Sequence, residues 1–146
     1  GTDMSDKELD LLNKFSKKYS IDCKPSIDVM AVWDFTYKLD GKKYYCEMKQ
    51  RNFSLSEAYK KYPEGLILEL HKYERILRLT KNKESTEGLY FNFFNDGNAL
   101  VFNLNNLSIN SWKWKKMPES TEFSKRKYVY KYITFIDYKY GNLFYL

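Results

Sequence analysis

Cysteine and histidine are almost missing from this 146-residue chain. Cys23 and Cys46 are the only cysteines, neither belongs to a Cys-x-x-Cys pair, and His71 is the only histidine. That scarcity leaves no soft-ligand set for zinc and no disulfide framework. It also argues against a Ser-His-Asp or Cys-His hydrolase, and neither a Walker loop nor a dinucleotide-binding glycine motif occurs. Glycine (6) and proline (3) are too few for collagen or a low-complexity linker, while 43% hydrophobic and 18% aromatic residues exclude a disordered tail. No apolar run approaches the ~18 residues needed to cross a bilayer, and Gly1-Thr2-Asp3-Met4 lacks the apolar core of a signal peptide. The expectation is a cytoplasmic protein without a membrane partner, with Gly1 to Asp3 a scar of expression. A chain of this size is expected to form one domain, residues 1–146, that buries roughly 70% of its unfolded surface.

Positive charge is in excess: 25 Lys and Arg against 19 Asp and Glu give a net +6. Such a balance favours polyanionic partners, nucleic acid above all. Most of the cations are lysine, and the chain is rich in Asn, Tyr, Ile and Phe but poor in Ala and Arg. An AT-rich coding sequence yields that composition, so part of the lysine content carries no functional message.

Ser5-Asp6-Lys7-Glu8 has the form of a capping box, and Leu9, Leu12, Phe15 and Tyr19 follow at helical spacing, predicting a helix over 6–19. After Pro25 the periodicity changes to two. Asp40-Gly41 separates the alternating runs 31–39 and 42–49, a signal for a hairpin with a primed two-residue turn. A short helix over 54–62 should stop before Pro63, and Leu66, Ile67, Leu70, Tyr73 and Leu77 predict a longer one over 64–79. Residues 89–94 and 99–104 flank Asn95-Asp96-Gly97-Asn98 as a second hairpin, apolar enough to be central. A last strand spans 128–137 ahead of a turn at Gly141-Asn142. The order predicts an α+β fold, an α/β sandwich built on a mixed β-sheet flanked by helices.

The first hairpin carries the chemistry. With a two-residue turn, residues whose numbers sum to about 81 face one another. One face then pairs Trp33 with Met48, Phe35 with Cys46 and Tyr37 with Tyr44, the core side. The other places Asp34 opposite Glu47, with Cβ atoms about 5 Å apart, and Lys49 projects from the same side. Opposed carboxylates destabilise a strand pair, so their presence points to a divalent cation. Two hard oxygen donors suit Mg²⁺ or Mn²⁺, which lowers the pKa of a bound water, and the lysine would position that water or offset charge on phosphorus. The plainer alternative is a solvated face on which Lys43 and Lys49 neutralise the acids.

Asp34, a spacer of twelve, and Glu47-Met48-Lys49 resemble the Asp…(Asp/Glu)-x-Lys signature of the PD-(D/E)xK, or restriction-endonuclease-like, nucleases. In that superfamily a helix precedes the hairpin that carries the motif, a helix follows, and further strands complete a mixed sheet. The likeness covers the order of elements from about residue 6 to 104. Trp33 stands in the place of the motif's Pro, a departure that many members tolerate, and Gln50 after the lysine is a common companion. The resemblance implies metal ligation by Asp34 and Glu47, catalysis by these two with Lys49, and a further acid from the first helix. Glu8 is the candidate for that acid, its other role being the capping box; Asp28, of the same strand parity as Asp34, is an alternative ligand.

Nucleic-acid contacts are expected from Gln50 and Arg51 beside the motif strand, from Lys72 and Arg75 on the following helix, and from Lys125, Arg126 and Lys127 as a phosphate clamp. Against these stands an internal pairing of Glu69 with Lys72. Ser120 and Thr121 could donate to phosphate or shape a turn. Trp112-Lys113-Trp114-Lys115-Lys116 reads either as a base-stacking surface or as a half-buried edge strand with both Trp in the core. The function expected is Mg²⁺-dependent hydrolysis of DNA by an endonuclease or exonuclease, in a phage or mobile-element setting within a host cytoplasm. A homodimer is one expected assembly. The alternatives are an RNase on the same fold and a non-catalytic nucleic-acid-binding or structural module whose hairpin acids are incidental.

Overall fold

The computed structural model describes residues 4–28, 30–119 and 127–146. Helix α1 (Asp6–Tyr19) starts at the expected capping box: Glu8 N–H donates to Ser5 Oγ at 3.2 Å, and Ser5 N–H donates to Glu8 Oε1 at 3.0 Å. A two-residue strand β1 (Lys24–Pro25) precedes the hairpin of β2 (Phe35–Leu39) and β3 (Lys42–Gln50). Asp40 and Gly41 both take positive φ, 50° and 78°, as a primed turn requires. The expected register follows, with Phe35 opposite Cys46 and Tyr37 opposite Tyr44.

Helix α2 (Leu55–Lys61), capped by Ser54 and Glu57, leads through strand β4 (Leu66–Glu69) and helix α3 (Leu70–Thr80) to β5 (Thr86–Phe93). β5 lies parallel to β3, a pairing that demands a crossover of this kind. β6 (Asn98–Asn103) returns beside β5, and β7 (Lys113–Pro118), β8 (Tyr128–Ile136) and β9 (Gly141–Tyr145) complete the chain. One mixed sheet has the order β1-β2-β3-β5-β6-β9, and a second, antiparallel sheet has the order β4-β8-β7. The fold is therefore α+β, with three α-helices and two sheets among the described residues. Among the described residues no helix is long and apolar enough to cross a membrane.

Three sequence expectations are corrected. The helix predicted over 64–79 begins only at Leu70, because Leu66–Glu69 is drawn into strand β4 by pairing with β8, where Leu66 and Leu68 are buried in alternation. The strand predicted from Ala31 begins only at Phe35. The turn expected at Gly141-Asn142 opens strand β9, which pairs with β6 as an edge of the large sheet.

Both faces of the large sheet are covered. Leu12 and Phe15 of α1 pack on one face against Phe35, Cys46, Met48, Phe91 and Phe93. On the other, Ile76 of α3 and Leu66, Leu68 and Ile136 of the small sheet pack over Tyr45, Tyr90 and Phe102. Burial on both sides explains why β5 and β6 are apolar almost throughout. It also roofs the hairpin face that carries the acids, so that face is an interior layer.

Candidate functional site

Asp34 stands where β2 leaves the ladder. Its N–H donates to Cys46 O at 2.8 Å, one residue out of step with the Phe35–Cys46 pairing, and its Oδ2 accepts the Met48 N–H at 2.8 Å. The side chain thus replaces a ladder acceptor, which fixes its direction. The same offset ends the alternation and corrects one core assignment: Trp33 does not lie beside Met48 but packs edge-on against Tyr45, ring centroids 5.1 Å apart, on the opposite face.

Glu47, on β3, is only 8% exposed, and its Oε1 lies 3.0 Å from Lys72 Nζ of α3. Lys72 also reaches Glu69 Oε2 at 3.4 Å, and Glu69 Oε1 lies 2.6 Å from Lys131 Nζ of β8. A chain of alternating charge therefore runs Glu47, Lys72, Glu69, Lys131. Burial raises the Glu47 carboxyl to about 7 although the Lys72 charge opposes the rise, and the nearby Asp34 carboxylate adds to it. Asp34 is itself raised by burial, against the Met48 N–H bond and the Lys72 charge. Burial alone would lower Lys72, but the charges of Glu47 and Glu69 hold it above the ordinary lysine value. Burial would likewise raise Glu69, and Lys131 and Lys72 more than offset that.

Lys49 shares the strand parity of Glu47 and is half-buried. Among the described residues it makes no ion pair, and burial together with the charges of Lys72 and Arg51 lowers it to about 8. Opposite it on β5 is Asn92, as Tyr90 is opposite Glu47. Arg51 is occupied internally: its Nε and Nη2 donate to Asn92 Oδ1 at 3.1 and 2.9 Å, and Nη2 also donates to Tyr90 Oη and Ile67 O. This clasp holds the Asn92 amide with its Nδ2 buried and without a hydrogen-bond partner.

The structure brings together Asp34, Glu47 and Lys72, with Lys49 two residues along β3 from Glu47 on the same strand face, and it separates the other expected residues from them. Glu8 is held in its capping box at the start of α1, and α1 covers the opposite face of the sheet. Asp28 is tied to its own loop, Oδ1 accepting the Met30 N–H at 2.9 Å. Gln50 has the parity of Cys46 and Met48, away from Glu47. Arg51 is half-buried and engaged by Asn92, Tyr90 and Ile67. Arg75 lies exposed on α3, and Lys127 is exposed at the foot of β8. Lys125, Arg126, Ser120 and Thr121 lie outside the described residues. Among the described residues no group of three or more His, Cys, Asp or Glu side chains converges.

The pairing of Glu69 with Lys72 is the internal alternative that the sequence offers, whereas Lys131, Tyr90 and Asn92 escape the sequence reading. For Asn92 a signal exists, since it is the one amide within the apolar run 89–94. The other two depend on the non-local placement of β5 and β8, which no local pattern encodes. No protein-family model, curated protein or solved structure matches the chain.

Proposed function

We propose that the chain is a metal-dependent nuclease of the restriction-endonuclease-like kind, hydrolysing DNA at the Asp34, Glu47 and Lys49 cluster. One observation carries this reading: Asp34, fixed by the Met48 N–H just before β2, and Glu47, buried on β3, lie near enough for each to perturb the other, with Lys49 two residues beyond Glu47 on the same strand face. The order of α1, the hairpin, α3 and a parallel β5 supports the corresponding core.

The residues fit a hard divalent cation. Asp34 and Glu47 would hold it, and the lack of a third acid among the described residues suits Mg²⁺ or Mn²⁺, for which one or two carboxylates suffice beside water and substrate phosphate. When bound, such an ion supplies Lewis-acid stabilisation of a phosphodiester and acidifies a water. The rest falls to the chain. The Met48 N–H fixes Asp34, and Lys72 holds Glu47 in place and keeps it ionised more than burial alone would allow. Lys49, near neutrality in its proton affinity, can hold or release a proton at Nζ beside the reacting phosphate. The unpartnered Asn92 Nδ2 is a further donor in the same layer.

The rival reading is a nucleic-acid-binding module with incidental acids, favoured by the ion pair of Glu47 with Lys72. The two part on metal dependence. Labelled single- and double-stranded DNA incubated with the chain should be cut with Mg²⁺ or Mn²⁺, spared in EDTA, and spared by Glu47→Gln. Cutting that survives both EDTA and Glu47→Gln, or no cutting of any substrate, rejects the nuclease.

A further inference from the structure

Between α3 and the small sheet lies an open groove of about 450 Å³, lined by His71, Arg75, Arg78, Trp114, Lys131 and Tyr132 among others. The cluster of Asp34, Glu47 and Lys49 makes no use of it. Its β wall is aromatic and exposed: Trp114 is 58%, Tyr130 56% and Tyr132 49% accessible. These rings form one platform. Trp114 is the register partner of Tyr132 and Lys116 that of Tyr130, so all four side chains share one face of the β7-β8 pair. The indole lies parallel to the Tyr130 ring, 12° between planes and 5.7 Å between centroids, and its centroid is 4.6 Å from that of Tyr132. A contiguous aromatic patch left in water marks a binding surface more often than a structural one. By contrast Trp112, from the same segment, stacks on Tyr73 and packs against the core.

Cations surround the platform. Arg75 is exposed and makes no ion pair among the described residues, and Lys116 is exposed on β7 on the same face as the rings. Lys131 lines the groove and contacts Glu69, which leads through Lys72 to Glu47. The groove is therefore joined to the acid cluster through this chain of ion pairs.

The geometry points to this groove as a binding site for the unpaired nucleotides of single-stranded nucleic acid, bases stacking on Trp114, Tyr130 and Tyr132 and phosphates meeting Arg75 and Lys116. Flat rings offered side by side match exposed base faces, and every base has one. In a duplex those faces are covered by neighbouring pairs. A second copy of the chain is a poorer occupant: β7 is an edge strand, but Lys113, Lys115 and Lys116 along it are the charges that block edge pairing, and each copy carries +6. Binding stands on these residues alone; the groove's service as a substrate arm rests on the nuclease reading.

The test is fluorescence anisotropy of the full chain in EDTA with three labelled probes of equal length, oligo-dT, oligo-U and a DNA duplex. The wild type should bind at least one single strand about tenfold or more tightly than the duplex, and Trp114→Ala/Tyr130→Ala should lose about tenfold of that affinity, as removal of a stacking platform does. Duplex affinity should change less than about twofold, and Trp114→Phe should retain part of the single-strand affinity. Should the double variant fail to fold, Trp114→Phe and Tyr130→Ala singly, read against wild type, decide the matter. Comparison of dT with U separates DNA from RNA. The proposal is overturned by equal affinity for duplex and single strands, by unchanged binding of the variants, or by sedimentation showing that the substitutions dissolve a dimer instead. Tight single-strand binding in EDTA without Mg²⁺-dependent cutting would fail the nuclease and leave the groove; Mg²⁺-dependent cutting with single-strand affinity unchanged by Trp114→Ala/Tyr130→Ala would do the reverse.

Discussion

At the residue scale, the charge balance of the acid pair makes folding stability depend on pH. Glu47 rises from 4.5 to about 7 in the folded state, so between those values the fold keeps a proton that the unfolded chain has released. Its contribution is complete below about pH 4.5 and is lost as the pH climbs through about 7. Asp34→Asn preserves an acceptor for the Met48 N–H and removes the charge that helps to raise Glu47. In metal-free buffer it should therefore stabilise the fold at about pH 8, by about 1 kcal/mol, with a smaller effect at about pH 5. Urea denaturation at the two pH values checks this; a loss of stability at the higher pH would mean that Asp34 serves a buried partner. That these two acids come near each other is legible in the sequence because a two-residue turn sets the hairpin register, but the direct pairing of Asp34 with Glu47 is not met, since the ladder ends at Phe35–Cys46 and Asp34 bonds Cys46 O and the Met48 N–H instead. The Lys72 partner of Glu47 is not legible there, since it arrives on α3 from outside the hairpin.

At the element scale, β4 shows what local pattern cannot decide. Leu66, Ile67, Leu70, Tyr73 and Leu77 satisfy helical spacing, yet the first two belong to a strand because β8 supplies backbone partners for them. Gly65 enforces the break: its φ is +133°, and a Cβ there would sit 2.0 Å from Ile136 O. Gly65→Ala should consequently destabilise the fold by about 3 kcal/mol or more, combining backbone strain with displacement of β8. Thermal melting checks this, and a cost below about 1 kcal/mol would contradict the close approach of the two strands. Trp33 teaches a similar lesson. The alternation that assigns it to the α1 side is sound through Phe35, and the out-of-step hydrogen bond of Asp34 then carries the indole to Tyr45. Both corrections come from non-local pairing. The capping boxes of α1 and α2 and the two tight turns are local, and they are where the sequence foretells them.

At the scale of the whole molecule, the large sheet separates two environments. One face is a dry aromatic core under α1, and the other is a layer in which Asp34, Glu47, Lys49, Lys72 and Glu69 sit among apolar neighbours beneath α3 and the small sheet. Enclosure is what perturbs these groups, lowering Lys49 to about 8 and raising Glu47 to about 7. Perturbed pairs of this kind cluster at functional sites, and also in structural ion networks. Net positive charge and the exposed aromatic groove favour nucleic acid as the partner of either. Chemistry and binding are therefore to be separated at Lys49, which has no ion pair to lose among the described residues. The measurement is single-turnover cleavage by Lys49→Ala in Mg²⁺ set beside its affinity for the same oligonucleotide in Ca²⁺. Turnover lowered by two to four orders of magnitude with affinity changed less than about threefold is the expected result, that of losing a group which stabilises the transition state more than the ground state. Cleavage by a clean Lys49→Ala preparation at the wild-type rate would contradict the assignment of this cluster as the active site.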